Sequence, residues 1–343
     1  MNVTNCFSYA DYDIEWLQTF FSQSTIDLYD NYVYQEKSLT LQNGATIVVN
    51  SQVDERRSAN PLLLDPNTGT CFFCDYVRCN ARDTILLSPD SFLYKPNNQL
   101  KILMVSTKCG PEPTIQHFID MCILSDRLKP VSTLTVINMP GSGASIPQHF
   151  HTQIWPKKGS LGRLFDNFQC SRNPFSVSDQ VSLREIRRPM WGIELTFDEV
   201  DPVIIGKRLY EATQLVRYKA QLHLSYNIYI DSARPKSILI IFRESWKECP
   251  FQLYELQAII ENIISTDKAR AVSIRESDNA NWRWGWSECM GGMSPRDTSF
   301  DDFSIFNDLF WQRIYNFMDF DPRYRDSLSN SIIEFYKKDY IGA

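Results

Sequence analysis

Two histidines and a glutamine at alternate positions are the residues of this sequence best suited to chemistry. The segment reads His149-Phe150-His151-Thr152-Gln153 and holds two of the four histidines in the chain. On a β-strand, His149, His151 and Gln153 would share one face. A neutral imidazole there is a competent nucleophile toward phosphorus, and a carboxamide donates hydrogen bonds without titrating. The alternative interpretation is a structural histidine pair that only makes hydrogen bonds.

The loop before this strand is built from small residues. It contains Gly141-Ser142-Gly143-Ala144-Ser145 and follows Asn138, which ends a predicted strand. Backbone N–H groups of small residues can approach an anion closely. The loop is therefore a candidate cradle for a phosphate next to His151.

A cysteine pair with metal-ligand spacing lies upstream. Cys71 and Cys74 form a C-x2-C knuckle, whose two sulfurs can reach one tetrahedral ion. The site needs two more ligands, and the downstream candidates are Cys79, Cys109, Cys122 and His149. The pattern favours Cys109 with His149, a common structural zinc set, while Cys79 is the main competitor for the third position. Buried free thiols are the alternative.

Composition limits the class of protein. The chain has 343 residues, 43% of them hydrophobic, a net charge of −6 and nine cysteines. A mildly acidic chain has no general attraction for nucleic acid or for an anionic membrane. The first residues lack a signal-peptide pattern, and no apolar stretch has the length of a membrane span. We therefore expect a cytoplasmic protein whose cysteines are thiols or metal ligands.

Strand and helix patterns alternate along the chain and must position these residues. The similar make-up of the two halves predicts an internal duplication, with a first half over residues 1–160 and a second over 161–343. The pattern fits α/β or α+β with a substantial antiparallel sheet, and we predict the α+β class. We predict helices over 13–30, 114–128, 206–222, 252–265 and 302–338, and strands over 43–50, 101–107, 132–138, 149–156, 226–231, 237–243 and 271–276.

The segment GASIPQHFHTQ (143–153) resembles the active-site motif of the histidine-triad superfamily, in its His-x-His-x-Gln branch. That branch contains galactose-1-phosphate uridylyltransferase, diadenosine tetraphosphate phosphorylase and the GDP-hexose phosphorylases. The similarity covers residues 71–156, with an echo in the glycine-containing segment that starts at Glu288. It implies a duplicated histidine-triad-like fold, with antiparallel sheets flanked by helices.

The resemblance also implies roles for individual residues. His151 would attack the α-phosphorus and hold a covalent nucleotidyl intermediate, and Gln153 would bond a phosphate oxygen. The expected phosphate-binding residues are Asn138, Ser142, Gly143 and Ser145. A structural zinc ion would be bound by Cys71, Cys74, Cys109 and His149.

The expected reaction is nucleotidyl transfer, or phosphorolysis, from a nucleoside diphosphate sugar or dinucleoside polyphosphate to phosphate or a sugar phosphate. Gln148 separates Pro147 from His149, so the motif is closer to the phosphorylase-like members than to the His-Pro-His form of uridylyltransferases. Within the superfamily, a glutamine at the position of Gln153 accompanies transfer, and a histidine there accompanies hydrolysis. The alternatives are a hydrolase of the same fold and a non-catalytic nucleotide-binding protein.

Two arginines and the oligomeric state complete the expectations. Arg57, next to Arg56, lies in a loop where phosphorylase-like members carry an arginine, and it is a candidate substrate ligand or a solvated surface residue. Arg243 ends an apolar strand and could also reach substrate. The residues do not reveal the oligomeric state, but the resemblance implies a homodimer.

Overall fold

The computed structural model describes the chain over residues 17, 21, 36–40, 46–50, 71, 73–74, 84–95, 101–139, 148–157, 164–170, 175–176, 181–198, 201–220, 224–244, 289–290, 292–293 and 322–338. Over these residues, no helix combines the length and the apolar character that crossing a membrane requires.

The described elements are fourteen strands and three α-helices. The helices are α1 (Ile115–Arg127), α2 (Pro202–Ala220) and α3 (Pro322–Lys338), and a short 3-10 turn covers Lys129–Val131. The strands are β1 (Glu36–Thr40), β2 (Thr46–Asn50), β3 (Thr84–Leu86), β4 (Ser91–Tyr94), β5 (Ile102–Ser106), β6 (Thr133–Asn138), β7 (His151–Pro156), β8 (Gln169–Cys170), β9 (Phe175–Ser176), β10 (Val181–Arg188), β11 (Gly192–Phe197), β12 (Leu224–Asp231), β13 (Ser237–Glu244) and β14 (Gly292–Met293).

Eleven strands form one sheet that runs through both halves of the chain. Its order is β3-β4-β5-β7-β6-β12-β13-β11-β10-β8, with β9 also paired to β10, and every pairing is antiparallel. Strands β1, β2 and β14 form a separate small sheet.

The large sheet repeats one path twice. The path β4-β5-α1-β6-β7 in the first half matches β10-β11-α2-β12-β13 in the second. The two copies meet where β6 pairs with β12, a junction that we call the seam; there Leu134 lies opposite Asp231 and Asn138 opposite Asn227. The predicted α+β class and the duplication of the fold are confirmed. The division into domains at residues 160 and 161 stays a prediction.

Helices α1 and α2 pack against each other and cover one face of the sheet. Gly206 on α2 permits this close approach, because a Cβ there would lie 2.6 Å from the Cα atom of Ile119 on α1. Apolar residues of α3, including Leu328 and Ile332, join the same core. Burial of this continuous apolar surface stabilises the fold.

Alternation along β5 separates the two faces of the sheet. Ile102 and Met104 belong to the core beneath the helices. Leu103 and Val105 point the other way and pack with Phe73 in a second cluster. We call the face that carries Leu103 and Val105 the site face.

The structure bears out most of the predicted elements near the motifs. Strands β5, β6, β12 and β13 and helix α1 lie within one or two residues of their predicted bounds, and α2 begins four residues earlier, at Pro202. Strands β3, β4, β10 and β11 were not predicted. The helix over 252–265 and the strand over 271–276 lie outside the described residues, as do most of the helix over 13–30 and the part of the helix over 302–338 that precedes Pro322.

Candidate active site and metal centre

His151 is the first residue of β7, a central strand between β5 and β6. It pairs with Val105, so its side chain lies on the site face. Its imidazole packs against the ring of Phe73, with 5.2 Å between the ring centroids. The side chain is almost fully buried, at 5% exposure.

The strand begins two residues later than predicted, and this corrects the expectation that His149 shares a strand face with His151. The Phe150 N–H group bonds to the carbonyl oxygen of Gly110, at 2.7 Å, outside β5. The Phe150 carbonyl oxygen accepts from the Ser106 N–H group at 3.1 Å. His149 therefore lies in the irregular segment before the strand and turns toward the cysteines.

One hydrogen bond fixes the tautomer of His151. Its Nδ1 atom lies 2.9 Å from the carbonyl oxygen of His149, so Nδ1–H is the donor and the lone pair is on Nε2. Burial lowers the pKa of His151 to about 4, and the positive charge of Lys101 acts in the same direction. The imidazole is therefore neutral near pH 7, as a nucleophile must be.

The carboxamide of Gln153 is oriented by its neighbour on the same strand. The indole Nε1–H group of Trp155 donates to Gln153 Oε1 at 3.1 Å. An indole N–H can only donate, so the bonded atom must be the amide oxygen. The amino group of Gln153 is consequently the end that can donate to a substrate oxygen. Gln153 pairs with Leu103 and lies on the site face with His151.

Asn138 brings the second half of the chain close to the histidine. The β6–β7 pairing ends with Ile137 opposite Thr152, and one further step in register places Asn138 opposite His151. Across the seam, Asn227 Nδ2 donates to Asn138 Oδ1 at 2.6 Å. The site face thus carries a polar row over three adjacent strands, made of His151, Asn138 and Asn227.

The four expected metal ligands lie together. The sulfur atoms of Cys71, Cys74 and Cys109 and a ring nitrogen of His149 are all within 4.8 Å of one another. His149 Nδ1 is 3.1 Å from the Cys71 sulfur and 3.6 Å from the Cys74 sulfur. Ligand pairs around a tetrahedral zinc ion with three thiolates are separated by about 3.8 Å, so small side-chain rotations would close this set around one ion.

The surroundings of His149 also fit a metal ligand. Its Nε2–H group donates to the carbonyl oxygen of Ser106 at 2.9 Å, which leaves the Nδ1 lone pair directed at the cysteines. Such an outer hydrogen bond is typical of histidines that bind metals. Burial, followed by the neighbouring Cys109 and Cys71 thiols, raises the pKa of Cys74 to about 12. A bound cation would reverse this effect by stabilising the thiolates.

Of the remaining candidates, one described residue is not part of these arrangements, and five lie outside the described residues. Cys122 is buried in α1 among the apolar core residues, away from the other thiols. Arg57, Ser142, Gly143 and Ser145 and the competing ligand Cys79 lie outside the described residues.

Three residues of the site were not predicted from the sequence. Phe73 contacts both histidines, at 5.3 Å from His149 and 5.2 Å from His151 between centroids. Its position inside the C-x2-C knuckle is a signal that could have identified it once the knuckle was placed beside the histidines. Trp155 follows Gln153 by two residues, so strand alternation puts them on one face. Asn227 is the one amide side chain of β12, between Tyr226 and Ile228.

Solved structures with the same fold are found, whereas no protein-family model and no curated protein matches. Yeast Ap4A phosphorylase Apa2 aligns over 89% of this chain and 97% of its own. The TM-score is 0.51, at 12% identity, for its complex with Ap4A, and 0.52, at 13% identity, for another crystal structure of it. A DUF4931 family protein from Bacillus cereus aligns over 50% of this chain and 89% of its own, at 15% identity and a TM-score of 0.36. The chain therefore has the fold of the yeast phosphorylase, the duplicated histidine-triad-like fold that the sequence motif predicted.

Proposed function

We propose that this protein is a nucleotidyltransferase or phosphorylase that works through a covalent nucleotidyl intermediate on His151. The donor is a dinucleoside polyphosphate or a nucleoside diphosphate sugar, and the acceptor is phosphate or a sugar phosphate. The observation that carries the proposal is the hydrogen bond from His151 Nδ1–H to the carbonyl oxygen of His149. It leaves Nε2 as the reactive atom of a buried imidazole.

The proposed reaction has two steps, and the α-phosphorus changes its bonding partner in each. In the first, the Nε2 lone pair attacks the α-phosphorus, a P–N bond forms, and the P–O bond to the leaving phosphate breaks with its electrons on oxygen. In the second, an acceptor oxygen attacks the same phosphorus and the P–N electrons return to Nε2. The imidazole is cationic while it carries the nucleotide, and the His149 carbonyl oxygen at 2.9 Å from Nδ1 stabilises that charge.

Gln153 favours transfer over hydrolysis. The Trp155 indole holds its oxygen, so its amino group can donate to a phosphoryl oxygen in both steps. A carboxamide has no proton to exchange near neutral pH, and it cannot activate water as a general base. This supports an acceptor that brings its own negative oxygen, such as phosphate. Asn138 is the described residue expected to share in binding the phosphates, with Ser142, Gly143, Ser145 and Arg57 as further proposed ligands.

The cysteine–histidine cluster is proposed to bind structural zinc. Thiolate and imidazole ligands are the set that zinc prefers. His149 would bind the ion through Nδ1 and hold the nucleophile through its carbonyl oxygen. The metal would therefore stabilise the position of His151 without taking part in the bond changes.

The decisive experiment is denatured intact mass after brief incubation with donors. Ap4A is the first donor to test, since the yeast enzyme of the same fold was solved with it, and a panel of nucleoside diphosphate sugars follows. We expect one nucleoside monophosphate on the wild-type protein and none on His151→Asn. The matched control is His117→Asn, at a buried histidine outside the site, which should still form the adduct.

The same experiment separates the alternatives. Loss of the adduct on addition of phosphate or a sugar phosphate identifies transfer, and rapid loss in buffer alone identifies a hydrolase. Nucleotide binding by equilibrium dialysis with no adduct from any donor, and equal binding by His151→Asn, would support the non-catalytic alternative and overturn the proposal.

A further inference from the structure

The second half of the chain places a buried cation on the face of the sheet that carries the proposed nucleophile. Arg243 is on β13, opposite Ser225 on β12, and its side chain is only 2% exposed. The preceding residue, Phe242, belongs to the core beneath the helices, so Arg243 lies on the site face. Transfer of a charged group out of water is costly, and the cost must be offset by hydrogen bonds or an anion.

A chain of contacts links this guanidinium to the polar row across the seam. Arg243 Nη1–H donates to the Cys289 sulfur at 3.9 Å, and the Cys289 thiol donates to Asn227 Oδ1 at 3.7 Å. Asn227 in turn bonds to Asn138, which lies opposite His151. Adjacent strands are about 4.8 Å apart, so Asn227 is about 10 Å along the row from His151 at the backbone.

We infer that Arg243 and Asn227 form the subsite for the phosphate that leaves in the first step and for the phosphate that accepts in the second. This rests on the proposed function. A donor attacked by His151 must extend its remaining phosphates along the site face, and the site face continues across the seam into the second half of the chain. Arg243 supplies a forked cation suited to phosphate oxygens, and Asn227 supplies an amide donor. The nucleotide therefore binds on the first half, and the exchanged phosphate binds across the seam.

Two readouts test the subsite, with variants that differ in risk to folding. Asn227→Asp is isosteric and places a negative charge next to Cys289, the residue that contacts Arg243, where it would repel phosphate. Arg243→Lys keeps a charge and loses the fork, and Arg243→Met removes the charge. A surface arginine serves as the control: Arg184→Gln is on β10, where the Arg184 side chain is 47% exposed beside Glu194.

The first readout needs no catalysis: the melting temperature with and without inorganic phosphate. Phosphate should raise it in the wild type and in Arg184→Gln, because a ligand that binds only the folded state stabilises it. The increase should be lost in Asn227→Asp and reduced in Arg243→Lys. An undiminished increase in these two variants would overturn the inference, whatever the behaviour of Arg243→Met.

The second readout is the discharge of the preformed nucleotidyl adduct by inorganic phosphate. The phosphate concentration for half-maximal rate should rise about 10- to 100-fold in Asn227→Asp and Arg243→Met, the range expected for a lost charge-assisted contact. If no adduct forms in the wild type but the melting pattern holds, the proposed function fails and the anion subsite stands. If both variants have the same half-maximal phosphate concentration as the wild type, the subsite is overturned and the proposed function is unaffected.

Discussion

Replacing His117 by glutamine should remove part of the acid sensitivity of the fold. His117 is buried in the first turn of α1, where its Nδ1 atom accepts the Thr114 N–H group at 2.8 Å and its Nε2–H group donates to the Asp90 carbonyl oxygen at 2.9 Å. Its ring also packs against that of Phe150, which lies between His149 and His151, with 4.8 Å between the ring centroids. Protonation of Nδ1 would replace an acceptor by a donor that faces another donor.

The direction of the pKa shift of His117 determines how the stability of the fold depends on pH. Burial lowers the pKa of His117 below its ordinary value of 6.5, against the smaller opposing effects of Asp90 and Asp120, while nearby Lys108 lowers it further. The unfolded chain therefore binds a proton more readily than the folded one. The contribution of His117 to stability is complete well above pH 6.5 and is lost as the pH falls below it. For one proton this loss cannot exceed about 1.4 kcal/mol at pH 5.5, or about 0.8 kcal/mol at pH 6.0.

Urea unfolding at about pH 8 and about pH 5.5 measures this contribution. We expect the stability of the wild type to fall more between these two conditions than that of His117→Gln, by up to about 1.4 kcal/mol. His117→Asn, which keeps an acceptor near the Thr114 N–H group, should show the same flattened dependence with a smaller loss at pH 8. An identical fall in all three proteins would refute the assignment of a neutral, hydrogen-bonded His117.

Three further changes test the site and its scaffold. Trp155→Phe removes the donor that orients Gln153 and should slow adduct formation about 3- to 10-fold, measured by quenched-flow mass spectrometry. Cys74→Ser removes a proposed ligand and should abolish the zinc mass in native spectra and lower the melting temperature. Gly206→Ala should cost about 1–3 kcal/mol in urea unfolding, because the new methyl group meets the backbone of Ile119 at 2.6 Å.

Each of these changes has an internal control. In a Gln153→Ala background, Trp155→Phe should have no further effect on the rate, and a full second loss would show that the indole acts elsewhere. Cys122→Ser, at a buried thiol of α1, should leave the zinc mass intact. Gly110→Ala is a useful comparison, since nothing lies within 4 Å of the added Cβ but φ is +159°, so its loss of stability measures backbone strain without steric overlap. No loss of stability in Gly206→Ala would contradict the steric explanation.

The placement of the motif residues could be predicted from the sequence because it depends on short spacings. Residues two apart, such as His151 and Gln153, share a strand face whatever the rest of the fold does. Cys109 follows a strand and precedes Gly110, a position that presents its side chain at a chain reversal. The exception is His149, which leaves the strand because Phe150 bonds to Gly110, a tertiary contact that no local pattern contains.

The missed strands and the seam have a different cause. In β10 the buried residues are Val181, Leu183 and Ile186, so the alternation breaks near a shift in register with β8. A broken period removes the main signal for a strand. The contact between Asn138 and Asn227 depends on antiparallel pairing of segments 89 residues apart, and that register is fixed by the packing of both halves.

The seam also determines whether either half of the chain can be stable on its own. Strands β6 and β12 are central only because they pair with each other, from Leu134–Asp231 to Asn138–Asn227. A half produced alone would expose one of them as a bare edge, with unpaired backbone donors and acceptors that invite aggregation. Two co-expressed fragments would pair through these same strands and cover each other's edge. We therefore expect a chain cut between the halves to assemble when both fragments are present. Each half is likewise expected to need the other for stable folding.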